Sequence, residues 1–279
     1  MTTDAVPLFG STALAERIER VEAQLITTAT EAVRVRVGDG VFVIPIAGGA
    51  ACYAEDGSPL NKIVGLGFGG VPSGDALDEI EGEFAARDSA TQVELSNLAD
   101  PDIGAALTGR GYQLVSFENV LGRSLHGEEQ PVTPPGVEVR LSDDRAAWVD
   151  VVLDGFAHPD VEGVPSHEDF SREVIEHAMG DIEHAGATPY LAFRDGVVAG
   201  GGSMRMSGGI AQLTGAATAP AHRRHGVQTA LLSTRLAVAV RAGCDIAVVT
   251  TQPASKSQQN VQRRGFDLLY TRAVLVKQP

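Results

Sequence analysis

The chain resembles itself at a separation of 154 residues: Gly109-Arg110-Gly111-Tyr112 matches Arg263-Arg264-Gly265-Phe266, and Val120-Leu121 falls on Val274-Leu275. At the same offset a helix-patterned stretch at 74–87 falls on another at 228–241. A repeat of this length implies a duplicated folding unit, so the chain should hold two similar domains. Its 279 residues suit that count. The boundary should lie in Gly127-Glu128-Glu129-Gln130-Pro131-Val132-Thr133-Pro134-Pro135-Gly136, which is rich in proline and glycine and lacks apolar periodicity. The expected division is a first domain over 1–126, a linker over 127–136 and a second domain over 137–279.

Periodicity supplies the elements. Leu14, Ile18, Val21 and Leu25 recur at helical spacing. Strands are expected near 41–46, 50–54 and 62–68, a helix over 74–87 capped by Ser73, a strand at 92–95, a helix at 101–107 and a strand at 113–121. The second half repeats the order. Helices are expected at 148–156 and 168–183, the second capped by Ser166. A hairpin should turn at Asp195-Gly196, followed by strands at 212–218 and 245–250, helices at 226–241 and 254–264, and a strand at 267–276.

Charge divides the halves. Residues 1–130 carry 8 Lys+Arg against 20 Asp+Glu, and residues 131–279 carry 14 against 16. An anionic ligand therefore belongs with the second half. The overall balance of −14 argues against nucleic acid and against an anionic membrane. No apolar run approaches the length of a membrane span, and the first residues lack the pattern of a signal peptide. Two cysteines, Cys52 and Cys244, exclude a disulfide scaffold and a cysteine-rich metal site and fit the cytoplasm. No metal is expected.

The segment Thr218-Ala219-Pro220-Ala221-His222-Arg223-Arg224-His225-Gly226-Val227-Gln228 carries the most chemistry. A strand of small residues ends, a basic turn follows and an apolar helix begins. Free backbone N–H groups and the positive end of the helix dipole meet there, which suits a phosphate. Gly226, lacking a Cβ, would let the phosphate approach the backbone. A second glycine motif, Gly65-Leu66-Gly67-Phe68-Gly69-Gly70, matches a dinucleotide fingerprint. The helix after it, however, carries Asp75, Asp78, Glu79, Glu81 and Glu83, which would repel a pyrophosphate. A glycine-rich strand end is the better reading. His177 and His184 read as a solvated helix face, and Cys244 as a buried structural thiol.

Arg223-x-x-Gly226-x-Gln228 resembles the acyl-CoA loop of the GNAT N-acetyltransferase superfamily, Gln/Arg-x-x-Gly-x-Gly/Ala, with Gln228 departing from the last position. Ala219-Pro220, Gln262-Arg263-Arg264-Gly265-Phe266 and the element order of 137–279 are also similar to that family. The first half resembles the same fold with the motif erased. The resemblance implies an α/β class (α+β mixed sheet) with two GNAT-like domains, each a mostly antiparallel twisted sheet flanked by helices. It implies acetyl transfer from acetyl-CoA to a primary amine of a small molecule or peptide. The donor's pantetheine arm would pair with backbone at Ala216, Ala217 and Thr218. Its pyrophosphate would lie on N–H groups of Arg224, His225, Gly226, Val227, Gln228 and Thr229, with Arg223, Asn260 and Arg263 nearby. The strands at 212–218 and 245–250 should splay around the thioester, with Gly215, Ala216 and Ala217 supplying a bulge.

The family's usual tyrosine is replaced by Val261, which leaves Ser257 or Asn260 as the polar group near the leaving thiolate. No glutamate lies on the strand 212–218, so the base is not evident. His158, Asp160, Glu162, His167 and Glu168 lie in the loop that the resemblance assigns to the acceptor. The other reading is a noncatalytic acyl-CoA-binding or scaffold protein, supported by the missing tyrosine and glutamate. A mycothiol-synthase-like enzyme ranks lower, because its longer glycine-rich loop is absent. The acceptor amine is unidentified, and a homodimer is left open.

Overall fold

A computed structural model describes residues 7–159, 163–164 and 167–279. The first half runs α1 (Thr12–Val37), β1 (Phe42–Ile46), β2 (Gly49–Tyr53), β3 (Lys62–Val64), α2 (Gly74–Ala85), β4 (Thr91–Ser96), α3 (Pro101–Gly109) and β5 (Gln113–Ser124). The second runs β6 (Val137–Leu141), α4 (Arg145–Ala157), α5 (Arg172–His184), β7 (Thr188–Arg194), β8 (Val197–Ser207) and β9 (Ile210–Thr218). A 3₁₀ turn at Pro220–His222 follows, then α6 (Val227–Arg241), β10 (Ile246–Thr251), α7 (Lys256–Gln262) and β11 (Asp267–Lys277).

Local chemistry explains the boundaries. Ser11, Ser73 and Ser255 each accept a backbone N–H of the first turn of α1, α2 and α7. The turn between β7 and β8 has Asp195 and Gly196 at φ 52° and 81°, the left-handed pair a two-residue hairpin requires. Two expectations need correction. The helix expected from Glu168 begins at Arg172 and is capped by Ser171, while Ser166 lies outside the described residues. Strand β6 had no counterpart in the sequence reading. It is a five-residue edge strand with only Val137 buried, so it leaves almost no apolar signal.

All eleven strands form one sheet in the order β1-β2-β3-β4-β11-β5-β10-β9-β8-β7-β6. The last strands of the two halves are exchanged. Strand β11, from the second half, pairs antiparallel with β4 of the first, Arg272 opposite Ser96 through Lys277 opposite Thr91. Strand β5, from the first half, pairs antiparallel with β10 of the second, Ile246 opposite Ser124 through Thr251 opposite Asn119. The exchanged strands run antiparallel to each other at the centre, Asp267 opposite Gly122 to Val276 opposite Gln113. The linker docks onto the second half: the Val132 N–H donates to Ser233 Oγ on α6 (2.8 Å).

Helices α1, α4 and α5 cover one face, where Trp148, Val152, Leu25 and Ile26 are buried. Helices α2, α3, α6 and α7 cover the other through Leu77, Ile80, Leu107, Leu231, Leu236 and Val261. Each fully buried leucine or isoleucine stabilises by about 1.5–3 kcal/mol. Helix α1 reaches across the exchange, with Ile18 and Val21 packed on Val120, Ile210, Val248 and Tyr270 from both halves.

The exchange leads to an expected outcome. Residues 1–130 alone lack β11 beside β4, and residues 131–279 alone lack β5 beside β10, so neither half should give a cooperative thermal transition by circular dichroism. Mixed, the two should co-elute in size-exclusion chromatography and melt as one. A monomeric, cooperatively melting 131–279 fragment would contradict this.

Candidate functional site

Strands β9 and β10 are parallel neighbours for three residue pairs only: Ile210–Ile246, Ala211–Ala247 and Gln212–Val248. Beyond them the strands part. Strand β9 stays on β8, but its register shifts from Gly201 opposite Ala217 to Ser203 opposite Thr214, which leaves one extra residue on β9. The bulge centres on Gly215 at φ 49°, a left-handed conformation few side chains accept. The gap opens a cleft of about 890 Å³. Leu213–Ala216 line one wall, Val249–Gln252 the other, and Gln228, Leu232, Arg235, Ser257 and Val261 lie toward α6 and α7. The expected splay and bulge are both present.

At one end of the cleft, helix α6 starts at Gly226, at φ 82°, with no side chain capping the first turn. The first N–H groups of this fifteen-residue helix and its positive dipole end are therefore available to an anion. Arg224, at φ 64°, is exposed beside them. Two expectations change in detail. The Arg223 guanidinium donates to the carbonyls of Thr218 (3.3 Å), Gly155 (3.4 Å) and His158, tying the end of β9 to the end of α4. The missing Cβ of Gly226 faces the linker: a Cβ there would lie 2.6 Å from Pro134. Glycine is needed at that position for its positive φ and for the linker's approach.

Of the residues expected to hold the donor, Ala216 and Gln228 line the cleft, and Ser257 lines it from α7. Asn260 and Arg263 lie further along α7 and at its C-cap, outside the lining. Ala217 is buried against α4. Val261 is buried and lines the cleft. Thr251, only 5 % exposed, lines the cleft with a hydroxyl that has no hydrogen-bond partner among the described residues. A buried hydroxyl without a partner is costly, and a polar group of a ligand in the cleft would supply one.

The cleft passes through the sheet. A smaller cavity of about 210 Å³ shares Leu213–Gly215, Val249 and Thr250 and is walled by Ile18 and Glu22 of α1, Gln212 and Arg272. Glu168 and Asp169, before α5, line the larger cleft. The Gln92 side chain on β4 bridges to Glu168 (3.0 Å) and His167 (3.3 Å), so this loop rests on the first half. His158 stands at the C-cap of α4, bonds the Asp154 carbonyl (2.9 Å) and is not among the residues lining the cleft, although Phe156 and Pro159 are. Asp160 and Glu162 lie outside the described residues.

Behind this mouth the sheet carries a row of charge. Lys62 meets Glu94 (2.5 Å), and Arg272, 2 % exposed, meets Glu19 (2.8 Å), Glu94 (3.5 Å) and Glu118 (3.8 Å). Tyr270 donates to Glu19 (2.6 Å), and Gln212 to Glu22 (2.8 Å). Burial opposes ionisation of Glu94, but Lys62 and Arg272 outweigh it and hold its carboxyl below the usual range. Burial and the Glu94 charge push Glu118 up to about 7. The sequence reading missed Glu22, Glu118, Arg235 and Thr251. Only Arg235 carried a signal, as a lone cation among Leu231, Leu232, Leu236 and Ala237.

The Gly65–Gly70 run packs tightly against neighbouring backbone and side chains. A Cβ on Gly67 would lie 2.2 Å from the Ala99 Cβ, and one on Gly69 would lie 2.6 Å from the Ala47 backbone, so these glycines allow close packing. Among the described residues no group of three His, Cys, Asp or Glu could hold a metal ion.

A bulged, splayed parallel pair thus stands beside an uncapped helix start on a mixed α/β fold. Residues 153–266 match the acetyltransferase (GNAT) family model, so the second half carries a GNAT acetyltransferase domain. The whole chain has the fold of tandem GNAT proteins. It is similar to a GCN5-related N-acetyltransferase from Kribbella flavida (TM-score 0.65, 20% identity, 91% of this chain and 95% of that one). A tandem GNAT protein from the clavulanic acid biosynthesis pathway, solved without AcCoA, aligns at TM-score 0.60 and 15% identity over 98% of this chain and 97% of its own. A GCN5-related N-acetyltransferase from Sphaerobacter thermophilus aligns at 0.55 and 17% over 73% and 66%. No curated protein matched.

The charge row sets a pH dependence. Glu118 is raised from an ordinary 4.5 to about 7, so the folded state holds its proton more tightly than the unfolded state. The stability this provides is complete below pH 4.5 and is lost as pH rises through 7. Glu118→Gln should remove that loss, on the order of 2 kcal/mol. The wild-type melting temperature should fall by a few degrees more than the variant's between pH 5.5 and 8. Parallel melting curves would contradict this.

Proposed function

We propose that the chain transfers an acetyl group from acetyl-CoA to a primary amine. The observation that carries the reading is the β9 bulge at Gly215 opening beside the uncapped start of α6. The donor pyrophosphate lies on the α6 N–H groups near Arg224, and the thioester lies between Gly215–Ala216 and Val249–Thr251. The amine comes from the face where Glu22, Glu168 and Asp169 concentrate negative potential, which draws an ammonium ion. Residues 137–279 supply the donor site. The first domain, 1–126, supplies β5 and the α1 wall of the acceptor side. The buried free cysteines and acidic balance suit a cytoplasmic protein.

The amine lone pair attacks the thioester carbonyl carbon. A C–N bond forms, the C–S bond breaks, and backbone N–H groups of the bulge stabilise the oxyanion between. The electron pair leaves on sulfur as CoA thiolate, whose acid has a pKa of about 8.5, so departure needs little help from Ser257. The harder step is deprotonation: the ammonium, of pKa about 10, gives one proton to solvent before attack, and the second proton lost from nitrogen after attack goes to solvent or to the departing thiolate. Val261 on the cleft floor favours a second reading, a noncatalytic acyl-CoA-binding protein.

Thiol release from acetyl-CoA, followed with a panel of cationic and neutral primary amines, separates the two. Turnover should be detected and be fastest with cationic amines, and kcat/KM should rise from pH 7 to 9. Ser257→Ala should cost less than about tenfold in kcat. Acetyl-CoA binding by calorimetry without turnover of any amine would favour the binding protein. A loss of several orders of magnitude in Ser257→Ala with intact donor affinity would make Ser257 the acid.

A further inference from the structure

Arg235 is an arginine where the fold could have used an apolar residue. It sits in the middle of α6, 1 % exposed, among Leu231, Leu232 and Leu236, and lines the cleft. No carboxylate pairs with it among the described residues. Its donors go to backbone carbonyls instead: Nη1 to Ser203 (2.8 Å) and Thr214 (3.5 Å), and Nε to Leu231 (3.2 Å). A buried cation without a counter-charge is costly, and an apolar side chain of similar volume would be cheaper. Room for it depends on Gly202, where a Cβ would lie 3.1 Å from the guanidinium.

Thr214 is the residue immediately before the bulge. Its carbonyl accepts Arg235 Nη1 and the Ser203 hydroxyl (3.2 Å), and the Ser203 hydroxyl also meets Thr214 Oγ1 (2.7 Å). The peptide linking Thr214 to Gly215 is planar and trans, so its C=O and N–H point in opposite directions. With the carbonyl held toward β8 and α6, the Gly215 N–H is aimed away from β8, at the gap between β9 and β10. A positive charge on the carbonyl oxygen also polarises the peptide and makes its N–H a stronger donor.

We propose that Arg235 is a positioning residue for acyl transfer: by holding the Thr214 carbonyl it aims the Gly215 N–H at the thioester oxygen. This rests on acetyl-CoA being the donor. The oxygen gains negative charge as the amine adds and loses it as the C–S bond breaks, so a fixed donor there lowers the barrier more than it tightens substrate binding.

The test uses acetyl-CoA labelled with ¹³C at the thioester carbonyl, bound to the full chain and observed by NMR, with kinetics beside it. In the wild type the carbonyl resonance should move downfield on binding. In Arg235→Met most of that shift should be lost while the acetyl-CoA Kd stays within about threefold, and kcat should fall about ten- to a hundredfold with little change in KM for the donor. Arg235→Lys should recover part of both. If Arg235→Met does not fold, Arg235→Lys and Ser203→Ala carry the test, each with a reduced shift at preserved affinity. A wild-type shift in every folded variant, or a kcat/KM loss matched by weaker acetyl-CoA binding, would overturn the proposal. Failure of the wild type to bind acetyl-CoA would instead remove the donor reading on which it rests.

Discussion

The antiparallel pairing of β5 with β11 is the constraint on which the rest of the molecule depends. It runs nearly the full length of both strands and lies at the middle of the sheet, and each strand completes the half it does not belong to. Without it, β4 and β10 would each lose a neighbour and α1 the joint surface on which it packs. The charge row is a further consequence. Arg272 arrives on β11, Glu118 on β5, Glu94 on β4 and Glu19 on α1, so one buried guanidinium meets carboxylates from three first-half elements. Breaking such a cluster at one member leaves the others charged and buried, which costs more than the cluster contributes when whole.

The cleft follows from the same arrangement. One wall is β9, held on β8 within the second half. The other is β10, whose second neighbour is β5. The width of the gap is therefore set jointly: β8 and Arg235 fix the bulged wall, and the first half fixes the opposite one. Helix α1 walls the smaller cavity, and Gln92 on β4 anchors the loop that carries Glu168. The first half is thus structurally part of the cleft that opens in the second.

Much of this was legible in the sequence, because helix and strand periods, serine caps, the Asp195-Gly196 turn and the repeat are local patterns. The splay and bulge were expected through the resemblance to the GNAT family, with the small residues at Gly215–Ala217 consistent with them. The exchange was not: β5 and β11 read alike as strands whichever half receives them, and nothing in a strand's alternation names its neighbour. Arg223 and Gly226 also have structural contacts that their spacing did not indicate. Spacing pointed to a phosphate, whereas the carbonyls of Gly155 and His158 and the ring of Pro134 come from segments distant in sequence. Glu22 and Glu118 were hidden for the same reason. Glu22 lies on an ordinary amphipathic helix, and Glu118 on a strand whose burial depends on a partner about 150 residues away.

The exchange also bears on how the protein is made. Synthesis proceeds from the N-terminus, and in most multidomain chains the first domain folds while the next is being made. Here β4 waits for β11, which emerges only after β6–β10 and α4–α7 have been translated. Until then the first half has an unpaired strand edge and an incomplete apolar face, the kind of surface that associates with other chains. A nascent chain of this fold therefore depends on protection over the whole second half of its translation, and a stall between β10 and β11 would release an incomplete first half along with an incomplete second.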